Sequence, residues 1–417
     1  MINFNRFKLD NGLTVLVHED HTTAMAVVNI LYKVGARDES PEQTGFAHLF
    51  EHLMFGGSVN IPNYDAPLQS VGGENNAFTS NDITNYYITL PSDNLETAFW
   101  LESDRMLSLA FSDQSLEVQR QVVCEEFKQR YLNQPYGDVY LKLRPLAYKV
   151  HPYRWATIGK ELKHIEDAKM EDVKAFFQKF YTPQNAIMVV AGDVTVEKVK
   201  ALSEKWFADI PAGNVYLRDL PQEPKQEEAR QEMVEAEVPV DAIYISFHGA
   251  DRLSPAYYAT DLISDLLSRG SSSRLYRSLV KENQYFSEIN AYMMGSIDTN
   301  MFVVEGKPLG HVSLEEAEKH LWTELEKLKA EKVEDSELQK VKNKVESTML
   351  FAELSILDKA MNLAFFEMVN QAEDYNNEVA NYAAVTAEDI QRVARELFVK
   401  ENSSTLYYKS KAKEYAE

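Results

Sequence analysis

Apolar positions recur along the chain with two periods, and each change from one period to the other marks an element boundary. Alternating stretches over 4–8 and 14–18, joined by Leu9-Asp10-Asn11-Gly12-Leu13, predict a tight hairpin. Further strands are predicted over 27–34, 84–90, 186–190, 242–247 and 405–408. Helical spacing predicts a helix at 46–54 and longer ones over 95–107, 114–132, 171–180, 311–329 and 336–370. Hairpins with helices gathered around them predict an α+β protein of largely antiparallel sheets, each covered by helices on one face.

The pattern also repeats. Val34-Gly35-Ala36-Arg37-Asp38-Glu39-Ser40-Pro41 has a counterpart 214 residues on, His248-Gly249-Ala250-Asp251-Arg252-Leu253-Ser254-Pro255. The offset holds without a gap through Leu49 and Ile263, Leu53 and Leu267, Gly56 and Gly270. The strand at 186–190 likewise resembles the one at 405–408. Each copy reads as strand, turn and amphipathic helix. A chain of 417 residues exceeds the size at which one core usually keeps growing. Two homologous domains are therefore expected, 1–213 and 236–417, joined by a Pro-, Gln-, Glu- and Lys-rich linker at 214–235.

The helix at 46–54 carries the candidate chemistry. At about 100° per residue, Phe46, Leu49, Phe50, Leu53 and Met54 share one face, and His48, Glu51 and His52 lie opposite. The apolar stripe anchors the helix and turns the polar triplet away from the core. Thr44 or Ser40 is a candidate cap for its start, and Gly56-Gly57 ends it. Two imidazoles beside a carboxylate supply most of a catalytic zinc site, with the carboxylate placed to take a proton from water. In the second repeat the same positions hold Leu262, Asp265 and Leu266, so only the first can bind the metal. A third ligand is needed, and Val122-Val123-Cys124-Glu125-Glu126-Phe127 offers two carboxylates between which spacing alone does not choose.

Composition narrows the function classes. The formal net charge of −22 argues against nucleic-acid binding, which needs a basic surface, and reads as a solvated acidic one. No stretch approaches 18 apolar residues, so no membrane span is expected. The N-terminus Met1-Ile2-Asn3-Phe4-Asn5-Arg6 shows no apolar signal region, which points to the cytoplasm, or to the periplasm if a leader has been removed. Cys124 is the single cysteine, so no intrachain disulfide forms, and its apolar setting predicts helix packing.

His48-Leu49-Phe50-Glu51-His52, followed 74 residues later by Glu126, resembles the inverted zinc motif of the pitrilysin or insulinase family. Arg37-Asp38-Glu39, Gly45-Phe46-Ala47 and Phe55-Gly56-Gly57 frame the motif as in that family. Gly72-Gly73-Glu74-Asn75-Asn76-Ala77-Phe78-Thr79, Phe180-Tyr181-Thr182-Pro183-Gln184-Asn185 and Gly192-Asp193-Val194 extend the likeness over most of the chain. The resemblance implies one Zn²⁺ per chain held by His48, His52 and Glu126, with Glu51 as general base and hydrolysis of a peptide bond as the reaction. It makes Glu125 a neighbour of the site. It also puts Gln119 where relatives often carry a second glutamate, which changes the surroundings of the ligands. It implies that Asn76, Ala77, Phe78 and Thr79 form the edge to which an extended peptide substrate adds as a strand.

Family members carry an arginine and a tyrosine after a Ser-Ser-Arg-Leu segment in the zinc-free repeat. Here that segment is Ser272-Ser273-Arg274-Leu275, and counting onward places Val280 and Ser287 at the two positions. The expectation is a zinc-bearing catalytic subunit of a heterodimer whose homologous, zinc-free partner supplies the missing pair. The alternative is a non-catalytic, processing-peptidase-like assembly or peptide-binding subunit.

Overall fold

The alternating stretches become the strands of two sheets. In this computed structural model, residues 1–411 are described. The first sheet uses β1 (Asn5–Lys8), β2 (Thr14–Glu19), β3 (Met25–Tyr32), β4 (Glu74–Thr79), β5 (Thr84–Pro91) and β6 (Ala186–Gly192) in the order β1-β2-β6-β3-β5-β4. The second uses β7 (Arg230–Ala236), β8 (Ala242–Gly249), β9 (Phe286–Met293), β10 (Asn300–Pro308) and β11 (Ser403–Ser410) in the order β7-β11-β8-β10-β9. One pair in each sheet is parallel, β2 with β6 and β7 with β11, and every other pair is antiparallel. Removing the β1 hairpin arm from the first sheet leaves the topology of the second, which is the internal repeat in three dimensions.

The chain divides into two compact units built from discontinuous segments. One comprises Met1–Phe127, Trp155–Leu220 and Met349–Asn377, and the other Lys128–Arg154, Pro221–Thr348 and Glu378–Glu417. Two stretches therefore pack outside the half of the chain that encodes them. In the first unit, Ala360, Leu363 and Ala364 of the helix Ile356–Val369 pack on Val27, Leu31, Val189 and Ala191 of the first sheet. In the second, Val139 and Leu143 of the helix Val139–Ala147 pack on Ala242, Tyr244, Val303 and Leu406.

These helices correct the expectation of a single covered face. Residues 26–32 of β3 and all of β6 are buried, because the odd-numbered side of β3 meets Ile356–Val369 and the even-numbered Tyr32 meets the aromatic residues under the metal-motif helix. The linker expectation changes too. Residues 230–236 form β7, and Arg218 binds Asp38 at 2.7 and 2.9 Å within the first unit. The long helix expected over 336–370 is two, Asp335–Ala352 and Ile356–Val369, because the Ser355 hydroxyl caps the second by accepting the N–H of Asp358. Among the described residues no helix is long and apolar enough to cross a membrane.

A buried ion pair lies within the first unit. Arg105, at 1 % exposure, forms a bidentate pair with fully buried Glu102, with contacts of 2.6–2.9 Å. Its guanidinium lies 4.3 Å from the ring centre of Tyr86 and 4.8 Å from that of Tyr64, whose hydroxyl donates to Glu102 at 2.6 Å.

Candidate metal centre

The helix α1 (Phe46–Leu53) owes its orientation to the stripe read from the sequence. Phe46, Ala47, Leu49, Phe50 and Leu53 are buried, and the Phe50 ring stacks on Tyr181 at 4.8 Å and Phe176 at 5.2 Å. His48, Glu51 and His52 are left half-buried on the opposite face. The helix Asp113–Phe127 buries Val123, Cys124 and Phe127 and brings Glu126 to the histidines.

One donor atom from each of His48, His52 and Glu126 falls within a set whose members lie within 4.8 Å of one another. The Glu126 Oε2 atom is 3.6 Å from His48 Nε2 and 3.5 Å from His52 Nε2. The two imidazole rings stand at 88°, 4.9 Å between centres. Zinc bound tetrahedrally at about 2.0–2.2 Å would hold its ligands roughly 3.3–3.6 Å apart, so the Glu126–histidine separations and the nitrogen and oxygen donor types fit this metal. Among the described residues no other group of three or more His, Cys, Asp or Glu side chains converges in this way.

The remaining expected site residues take distinct places. Glu125, the other carboxylate that spacing left open, is exposed. Gln119 is half-buried two turns before Glu126 on the same helix and is not part of the converging set. Glu51 stands outside the set too, and its Oε2 accepts a hydrogen bond from the Thr79 hydroxyl at 2.6 Å. Burial raises the Glu51 pKa above the ordinary carboxylate value, and the Thr79 hydrogen bond opposes that shift.

Thr79 ends β4, the edge strand of its sheet. Asn75, Ala77 and Thr79 are half-buried, and Glu74, Asn76 and Phe78 are exposed. Among the described residues no strand pairs with the outer edge of β4. In the second unit Val280 is half-buried, and Ser287 is exposed on β9, where its hydroxyl donates to the Lys307 carbonyl.

Two contacts were not read from the sequence. One is the Thr79–Glu51 hydrogen bond, which ties the edge strand to the candidate base. The other concerns the start of α1. Neither Thr44 nor Ser40 caps it. The Thr44 hydroxyl accepts the Lys160 N–H and the Ser40 hydroxyl binds Glu42. The acceptor is Glu39, whose carboxylate receives the N–H groups of Gly45 and Ala47 at 2.9 and 2.8 Å. Burial pushes the Glu39 pKa up to about 8, while those two amides pull it down.

The first of the two α+β units thus carries a donor set of the zinc type, and comparison with known proteins gives the family. The model described as Insulinase (Peptidase family M16) matches residues 14–152, and that described as Peptidase M16 inactive domain matches residues 167–345. The zinc protease PqqE of Helicobacter pylori is 32% identical over 415 residues, which cover 96% of this chain and 91% of that protein. The mitochondrial-processing peptidase subunit beta of Saccharomyces cerevisiae is 26% identical over 363 residues, 83% of this chain and 78% of that one. The crystal structure of a protease from Helicobacter pylori superposes with a TM-score of 0.91 at 30% identity, covering 98% of this chain and 100% of the other. The chain belongs to the insulinase family of zinc proteases, peptidase family M16.

Proposed function

We propose that this chain is a zinc-dependent endopeptidase acting on extended peptide segments, and that it is the catalytic subunit of a heterodimer. The observation that carries the reading is the convergence of His48, His52 and Glu126 beside a carboxylate, Glu51, that stays out of the donor set. The names of the relatives, zinc proteases and a processing-peptidase subunit, support it.

Zinc held by these three side chains would supply Lewis acidity, polarising the scissile carbonyl and lowering the pKa of water from about 15.7 toward about 7. Glu51 accepts the proton of the attacking water and returns it to the leaving amine. Burial strengthens it as a base, and the Thr79 hydroxyl holds its Oε2 atom. The substrate backbone adds to the outer edge of β4. Alternate residues of an edge strand turn N–H and C=O groups outward there, so docking is tolerant of sequence.

Thr79 tests the link between edge and base. A hydrogen bond to a charged group contributes about 1.5–3 kcal/mol, so Thr79→Val should lower kcat about 10–100-fold with KM little changed. Thr79→Ser should recover most of the loss. Steady-state kinetics on a fluorogenic peptide decides it, and a Val variant with wild-type kcat removes this hydrogen bond from the mechanism.

The heterodimer rests on Val280 and Ser287, which give the second unit no arginine or tyrosine at the positions the resemblance assigns. Loss of one oxyanion donor costs roughly 10²–10³ in turnover. The purified chain should bind one zinc ion and cleave peptides slowly. Adding a homologous zinc-free chain that carries the pair should restore turnover by about that factor. Full activity from the chain alone overturns the heterodimer and leaves the peptidase reading standing.

A further inference from the structure

The first N–H groups of any helix lack partners inside it. In α1 the N-cap is Gly45, with φ of 87° and no side-chain cap of its own. A Cβ at Gly45 would lie 2.6 Å from the Ile158 carbonyl oxygen, so no capping side chain fits there. Glu39 supplies the acceptors from outside the helix, one oxygen to Gly45 and the other to Ala47, with its side chain buried. Ala47 immediately precedes the ligand His48.

The segment bearing Glu39 is itself fixed to the turn that joins β4 to β5. The N–H of Ala36 donates to the Ser80 carbonyl at 3.1 Å, and that of Arg37 to the Asn81 carbonyl at 2.9 Å. The Arg37 guanidinium pairs with Asp82 at 3.0 Å, both side chains buried. Trp155 Nε1 donates to the Ala36 carbonyl at 2.8 Å. A short chain of contacts therefore runs from the β4–β5 turn through residues 36–39 to the first turn of α1.

We propose that Glu39 is a positioning residue for the metal centre: its two hydrogen bonds set the height and rotation of α1 relative to Glu126 and to β4. This rests on the metal reading above. Two ligands sit on α1 and the third on Asp113–Phe127, so any slip of α1 along its axis separates them. A metal tolerates ligand displacements of only about 0.2 Å. Gln at this position keeps the shape but offers one acceptor and one donor to two N–H groups, and Ala offers neither.

The test compares zinc affinity in wild type, Glu39→Gln and Glu39→Ala by competition with a chromogenic chelator. Each protein is assayed well below the melting temperature of its own metal-free form, and kcat and KM are measured alongside. Zinc affinity should fall about 10–100-fold in Glu39→Ala and roughly fivefold in Glu39→Gln, which keeps the fold most closely. The loss in kcat should exceed the change in KM. Variants that melt earlier but bind zinc with wild-type affinity overturn the proposal and leave the metal site intact. A wild-type protein that binds no zinc overturns both readings.

Discussion

Replacing Glu51 with glutamine should reduce kcat by about 10²–10⁴ while the protein still binds one zinc ion. The contrast follows from geometry. His48, His52 and Glu126 form the donor set without Glu51, so the metal loses no ligand. The amide oxygen of Gln can still accept the Thr79 hydroxyl, so the contact with β4 also survives. What disappears is the basic oxygen. His52→Ala is the complementary control, since it removes a ligand and should lose metal and activity together. Metal analysis and peptide hydrolysis on the same preparations separate the two. A glutamine variant with near-wild-type turnover would exclude Glu51 as the proton acceptor.

The largest effect on stability should come from Arg105→Ala. The guanidinium answers a carboxylate that is 0% exposed and is otherwise bonded to the Tyr64 hydroxyl. Truncating the arginine strands the Glu102 charge in the core, which costs about 3–5 kcal/mol. For a unit of this size that corresponds to a melting shift of roughly 6–20 °C. Two charges withdrawn from water gain little over an apolar pair of similar volume. The double variant Arg105→Met with Glu102→Leu should therefore recover most of the loss. Thermal melts of the single and double variants give the coupling directly. An Arg105→Ala protein that melts within a degree or two of wild type would show that Glu102 is protonated or hydrated once the arginine is gone.

The parts of the site that were legible share one property: they are encoded in local spacing. The α1 stripe and the triplet opposite it follow from about 100° per residue, and the structure shows that face geometry. The repeat was readable because both sheets reuse one strand order. The parts that were not legible depend on long-range packing. Helical periodicity identified a helix over 336–370, but neither its break before Ser355 nor the sheet that its second half would meet. Nothing in the helical spacing over 95–107 singles out Arg105 and Glu102, and only the packing of Tyr64 and Tyr86 reveals a buried pair. Glu39 escaped because capping signals are sought at the residue before a helix, whereas this acceptor reaches in from six residues ahead of Gly45.

The placement of Ile356–Val369 on the first sheet bears on how the protein is made. Domains generally fold as units during synthesis, the N-terminal one first. Here the unit that carries the metal motif lacks one of its walls until residues 349–377 have left the ribosome. The nascent chain must hold the apolar side of β3 and β6 exposed while most of the second unit is translated. A stalled or truncated product would thus present a bare sheet to chaperones and proteases.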